Sequence, residues 1–140
     1  MPLDQLELPD PAEPERADDL WQTTCFELFM RRPGDRAYAE FNFSPSSRWA
    51  AYRFDDVREG RAQLDVQFVP GGGNDASDSH FALEATLVLP PEWRDIALDI
   101  AISAVIEQVD GSKSYWALGH PADRPDFHHP GSFTLRLSAP

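Results

Sequence analysis

The sequence predicts an all-β fold, an antiparallel β-sandwich in a single domain, and three observations carry that expectation. Apolar residues recur at every second position in several separate stretches, which is the period of a half-buried strand. Turn chemistry separates those stretches, at Pro33-Gly34, at Ser44–Arg48 and at Asp110-Gly111. No long stretch carries the 3.6-residue period of an amphipathic helix, and no internal repeat recurs at a fixed spacing.

Residues 1–19 read as an acidic, proline-rich tail or a fragment of strand followed by a linker, with only Leu3, Leu6 and Leu8 to bury. The single sandwich domain is expected over 20–140. In CFELFM, Phe26, Leu28 and Met30 point to one face and Cys25, Glu27 and Phe29 to the other. After the turn at 31–36, AYAEFNFS sets Ala37, Ala39, Phe41 and Phe43 against Tyr38, Glu40, Asn42 and Ser44. WAAYRF, Ala62–Val69 (Leu64, Val66 and Phe68 inward) and Phe81–Leu89 follow as strands, with a flexible glycine-rich loop at Gly71–Ser79. Pro90-Pro91 stops the third of these. From Ile96 to Glu107, Ile96, Leu98, Ile100, Ile102, Ala104 and Ile106 alternate, and their β-branching favours a strand. Ser114–Leu118 and Phe133–Leu137 complete the set, joined by the long, proline-stiffened loop GHPADRPDFHHPG.

Composition limits the partners. The 140 residues are enough for a continuous core without staples. The formal net charge of −12 argues against a nucleic-acid backbone and against an anionic membrane surface, both of which select clustered Lys and Arg. A lone cysteine, Cys25, permits no intramolecular disulfide and reads as a buried structural thiol. No stretch resembles a signal peptide or a membrane span, so the expected location is cytoplasmic.

The polar side of AYAEFNFS is the principal candidate for chemistry. Glu40 and Asn42 project to one side beside Tyr38. Either that side is a solvated outer face, or it presents a carboxylate and an amide to hydroxyl groups on a concave sheet. Sugars need the second arrangement, with aromatic rings against their C–H faces, and Trp21, Trp49 and Trp116 are the candidate rings. Trp93 reads as a loop or strand-end anchor. Glu27 shares a face with Cys25 and Phe29, and Glu107 ends the most apolar strand, so each needs a partner or a wet cleft. Two strand glutamates also admit a glycosidase pair. In the histidine loop, His120, Asp126 and His128 form a candidate metal set, with His129 adjacent. A rigid loop whose imidazoles hydrogen-bond to backbone, or one histidine at the rim of a ligand cleft, explains the same residues. No phosphate-binding glycine loop and no nucleophile elbow are present.

WQTTCFELF, YAEFNFSPSSRWAAYRF and AVIEQVDGSKSYWALGHPADRPDFHHPGSF, in that order, resemble a group of bacterial DOMON-like proteins, which are similar to the family-9 carbohydrate-binding modules. The resemblance runs from about Leu20 to Leu137 and implies an antiparallel sandwich of the DOMON type. It implies sugar or haem as ligand, with Trp21 as the opening tryptophan, Glu27 as the strand carboxylate and Glu40 and Asn42 as the E-F-N positions. Trp49 and Trp116 are both left as candidates for a second stacking tryptophan. For haem, the axial candidates are His120, His128, His129 and Met30. Members of this group carry strands ahead of the segment matching Met1–Leu8, so Met1 is expected to be an internal start or the chain naturally short, with an exposed sheet edge open to self-association. The resulting expectation is a non-catalytic module for a carbohydrate-like ligand, bound by Trp21, Glu27, Glu40, Asn42, Trp49 and Trp116 with His128 at the rim. The alternatives are a metal- or haem-binding sandwich built on His120–His129 and an accessory protein-interaction domain.

Overall fold

The computed structural model describes residues 2–69, 74–77, 80–121 and 123–140. Its strands are β1 (Cys25–Arg31), β2 (Tyr38–Phe43), β3 (Trp49–Phe54), β4 (Ala62–Gln63), β5 (Gln67–Val69), β6 (Asn74–Ala76), β7 (Phe81–Leu83), β8 (Thr86–Val88), β9 (Leu98–Glu107), β10 (Lys113–Ala117) and β11 (Leu135–Leu137). The only helical elements among the described residues are single 3₁₀ turns, and none is long and apolar enough to cross a membrane. The all-β, sandwich-like expectation therefore holds.

One large antiparallel sheet runs in the order β10-β9-β1-β2-β3-β4, and β11 also pairs with β9. β10 takes Ser103–Glu107 of β9 and β11 takes Leu98–Ile100, so both short strands share one flank of the longest strand. The two-stranded pairs β5-β8 and β6-β7 supply further pairing. Phe68 and Leu87, which face each other across β5-β8, pack against the large sheet.

Alternation gives the large sheet two chemically different faces. On the first, Met30, Phe41, Ala51, Leu98 and Ile100 are buried beneath Val66, Phe68, Leu87, Leu89 and Trp93. Trp49 stacks on Phe68 at 5.3 Å between centroids, and Phe26 stacks on Phe81 at 6.0 Å. Each large side chain fully removed from water contributes about 1.5–3 kcal/mol, which makes this layer contact a principal source of stability. At the β9-β10-β11 end of the same face, Ile102, Trp116, Leu135 and Leu137 stay exposed. The second face carries Cys25, Phe29, Tyr38, Tyr52, Phe54 and Ala101, covered by Leu20, Phe127 and Phe133 from outside the sheet.

Two expected strands are interrupted. Ala62–Val69 divides into β4 and β5, because the chain leaves the large sheet after Gln63 and enters the second layer at Gln67. Leu64, Val66 and Phe68 still point inward across the break, as their alternation requires. Phe81–Leu89 likewise divides into β7 and β8. The expected loop at Gly71–Ser79 lies partly outside the described residues, and Asn74–Ala76 within it forms β6.

Residues 5–17 are tied across one end of the large sheet. Glu7 N–H donates to Glu107 O at 2.9 Å, Ala12 N–H to Ser46 O at 2.9 Å, and Ala17 N–H to Trp49 O at 2.9 Å. The buried Thr24 hydroxyl donates to Glu7 O at 2.7 Å and accepts from Glu107 N–H at 3.0 Å. Arg16 secures the far end: its guanidinium donates to Ala51 O and Leu64 O at 2.9 Å each and lies 4.4 Å from the Trp49 ring centroid. Arg16→Ala is expected to cost about 2–3 kcal/mol, the scale of charge-assisted bonds plus a cation–π contact. Urea unfolding of the variant measures this, and a loss below about 0.5 kcal/mol would contradict the pinning role.

Candidate functional site

The second face of the large sheet opens into a cleft of about 350 Å³, lined by Trp21, Glu27, Glu40, Asn42, Tyr52, Arg58, Arg61, Tyr115, Phe127 and His128 among others. Pairing register builds its floor. Glu27 on β1 stands opposite Asn42 on β2 and Ser103 on β9, while Glu40 stands between Phe29 and Tyr52. Because side chains alternate, all of these project to the same side. Glu27, Glu40 and Asn42 are 7%, 7% and 1% exposed, so the polar side of AYAEFNFS is a buried floor and not a solvated outer face.

The walls come from segments outside the sheet. Asp19 adopts a left-handed backbone (φ 59°), a conformation Asp tolerates better than most residues, and the following turn buries Leu20 and leaves Trp21 half exposed at the cleft. Asp18 accepts from the Tyr52 hydroxyl, and Arg61 lies over the Tyr52 ring at 4.6 Å. Gly60, at φ +69°, sets the turn before Arg61; a Cβ there would lie 2.1 Å from the Asp55 carboxylate. The long loop between β10 and β11 leaves the sheet edge and folds back over this face, bringing Phe127 and Phe133 onto the core.

His128 fixes that loop. Its ring packs edge-on against Phe29, Tyr38 and Phe54, with centroids at 5.1, 5.7 and 5.2 Å. Arg58 N–H donates to the Tyr38 oxygen at 3.1 Å, which leaves the Tyr38 hydroxyl proton to donate to His128 Nδ1 at 2.6 Å. Burial raises the Tyr38 pKa above its ordinary value, which keeps that proton on the oxygen. His128 Nε2 faces the Glu40 Oε1 acceptor at 3.1 Å and so donates to it, and in the neutral tautomer this leaves Nδ1 as the acceptor for Tyr38. Asp126 holds the neighbouring backbone by accepting from His128 N–H at 3.2 Å and from Arg58 at 2.9 Å.

The floor is rich in acceptors and poor in donors. Glu40 Oε2 receives Asn42 Nδ2 at 3.5 Å, which turns Asn42 Oδ1 away from the carboxylate and leaves it buried without a hydrogen-bond partner among the described residues. Ser103 reaches Glu27 only at 3.5 Å, and no cation lies within ion-pair distance of Glu27 among the described residues. Burial first, and the nearby Glu40 carboxylate second, push the Glu27 pKa up to about 8, against smaller opposing effects of Ser103 and Arg58.

Of the residues singled out from the sequence, Trp21, Glu27, Glu40, Asn42 and His128 meet at this cleft. Trp49 and Trp116 do not. Trp49 pairs with Phe43 and sits beneath the second layer, and Trp116 pairs with Ala104 and points to the same opposite face, largely exposed. Glu107 is half-buried and does not line the cleft. Tyr52, Arg58, Arg61, Tyr115, Pro125 and Phe127 line it without having been singled out. Tyr52 was within reach, since alternation in WAAYRF separates it from Trp49; the arginines lie in a turn with no periodic signal.

The histidine loop is committed to the fold. Both His128 ring nitrogens are engaged, His129 Nδ1 accepts from Gly131 N–H at 2.9 Å, and His120 rests near the Phe127 ring. Among the described residues no group of three or more His, Cys, Asp or Glu side chains could hold a metal ion. Of the axial candidates for haem, Met30 is buried in the opposite face, and His128 would have to give up Tyr38 or Glu40 to ligate iron. Cys25 is buried, and its thiol pKa is raised by burial, as an inert structural thiol requires.

No family model matches the chain, and no curated protein matches it. Among solved structures it is similar to a proposed carbohydrate-binding protein from Bacteroides uniformis, with a TM-score of 0.53 and 16% sequence identity over 96% of this chain. The chain spans 66% of that protein's length. At that identity the likeness is one of fold.

The Glu27 environment has a measurable consequence. The folded chain keeps a proton that the unfolded chain loses between about pH 4.5 and pH 8, so stability falls as pH rises through that window and the whole cost is present above it. Glu27→Gln is neutral throughout. Relative to wild type it should gain stability from pH 5 to pH 8.5, by an amount on the order of a few kcal/mol. Urea unfolding of both proteins at several pH values checks this, and a pH-independent difference would contradict it.

Proposed function

We propose that the chain is a non-catalytic binding module that takes a carbohydrate-like ligand in the cleft on the Glu27–Glu40–Asn42 face. The observation that carries this is the floor: buried polar side chains whose hydrogen-bonding capacity the protein leaves partly unused, directly beneath aromatic walls. A pocket with few convergent polar groups among apolar walls is the usual form of a small-molecule site. Sugar hydroxyls match the floor, and the half-exposed Trp21 and Tyr115 rings offer faces for sugar C–H groups. The fold likeness to a proposed carbohydrate-binding protein agrees with this reading.

Binding without turnover is the better reading of the carboxylates. Glu27 and Glu40 rise from adjacent strands of one floor, so both meet a bound ring from the same side. Glycoside hydrolysis needs a pair that flanks the scissile bond.

The test is thermal unfolding against a panel of monosaccharides, disaccharides and sugar nucleotides, since a ligand that binds only the folded state raises the midpoint. One sugar class should raise it, with chromogenic glycosides unhydrolysed. Glu40→Ala and Trp21→Ala should each weaken that ligand by roughly 3–30-fold while the protein stays folded. A panel with no shift, or turnover that Glu27→Gln abolishes, would overturn the reading.

A further inference from the structure

From the unmatched acceptors on the cleft floor we infer that the group bound deepest in the cleft is a primary ammonium, and hence that the ligand class is amino sugars with a free amine. This rests on the reading that the cleft takes a carbohydrate, and it adds which carbohydrate.

Two facing residues of the floor lack a close hydrogen-bond partner among the described residues. Asn42 is 1% exposed, and its Oδ1 has no donor among the described residues. The amide cannot be turned to cure this, because Oδ1 would then face the Glu40 carboxylate in place of Nδ2. Directly across the strand pair, Glu27 has, among the described residues, only the 3.5 Å contact from Ser103. A buried acceptor left unmade is costly, and a buried carboxylate without a counter-charge more so. A sugar hydroxyl brings one proton and no charge. An ammonium brings three protons and a positive charge, so a group seated between these paired residues can donate to Asn42 Oδ1 and let Glu27 ionise. When it enters, the proton on the Glu27 carboxyl leaves to solvent, and an ammonium–carboxylate pair takes the place of a neutral acid.

One of the two arginines at the cleft is offset by an acid. Arg58, at the cleft wall, is paired with Asp126 at 2.9 Å. Arg61 lies over Tyr52, whose hydroxyl donates to the Asp18 carboxylate. The whole chain carries −12, which draws cations towards it and repels anionic sugars.

The test is isothermal titration of the intact protein at pH 7 and low salt with glucose, glucosamine and N-acetylglucosamine, and with galactose, galactosamine and N-acetylgalactosamine. Acetylation keeps the nitrogen and removes its charge. In at least one set the free amine should bind about tenfold or more tightly than both relatives. Glu27→Gln should reduce that advantage to about twofold while affinity for the neutral sugar persists. Equal affinity across a set would overturn the ammonium and leave the carbohydrate reading standing. An advantage that survives Glu27→Gln would overturn the assignment of the floor, as would stabilisation by calcium chloride with none by the amines. Should no member of either set bind, the ammonium inference fails, and the neutral sugars of the wider panel decide separately whether the carbohydrate reading fails with it.

Discussion

Strand β1 is hydrogen-bonded on both sides, to β2 and to β9, and its register governs the rest of the molecule. With Phe26 opposite Phe43 and Leu28 opposite Phe41, one face becomes the apolar layer contact. The same register puts Glu27 opposite Asn42 and Ser103, so the polar residues of three strands gather on the other face. A slip of one residue would exchange the faces, burying carboxylates under Phe68 and exposing the core. Core and cleft are therefore two outcomes of a single pairing, and a change of register would alter both.

The cleft also needs parts that the sheet cannot supply. β10 and β11 both pair with β9, and the chain between them folds over the polar face. The line of bonds from Arg58 through Tyr38 and His128 to Glu40 holds that loop down and orients the carboxylate beneath it. At the other wall, the segment pinned by Arg16 brings Asp18 and Trp21 to the rim. Strand residues set the floor, and three loop segments make it a pocket. Such a floor is expensive for the fold, since a buried acidic side chain contributes less to stability than an apolar one of similar size.

Period-two alternation made most of the large sheet legible in the sequence: β1, β2, β3, β9, β10 and β11 lie where it placed them, within a few residues. It also separated Tyr38, Glu40 and Asn42 from the phenylalanines between them. Alternation assigns side chains to faces but does not say which face is covered, so the polar face could be read as solvated or buried until the loops were seen to close over it. Strand pairing is long-range as well. Trp49 was a reasonable stacking candidate alone, and only its place opposite Phe43 and against Phe68 puts it in the layer contact. Arg58 and Arg61 sit in a turn ordered by Gly60 and by Tyr38 from a different strand, which no local pattern reveals. The split of Ala62–Val69 has the same origin, since a run of alternating residues looks identical whether or not it crosses between layers.

If the polar floor exists for a ligand and not for the fold, Glu27→Leu separates the two roles. The variant should unfold at a higher urea concentration than wild type at pH 8, where the wild-type acid is costliest, and should lose the sugar that stabilises wild type. A variant that is less stable than wild type and still binds that sugar would show Glu27 to be a structural residue and contradict the assignment of the cleft.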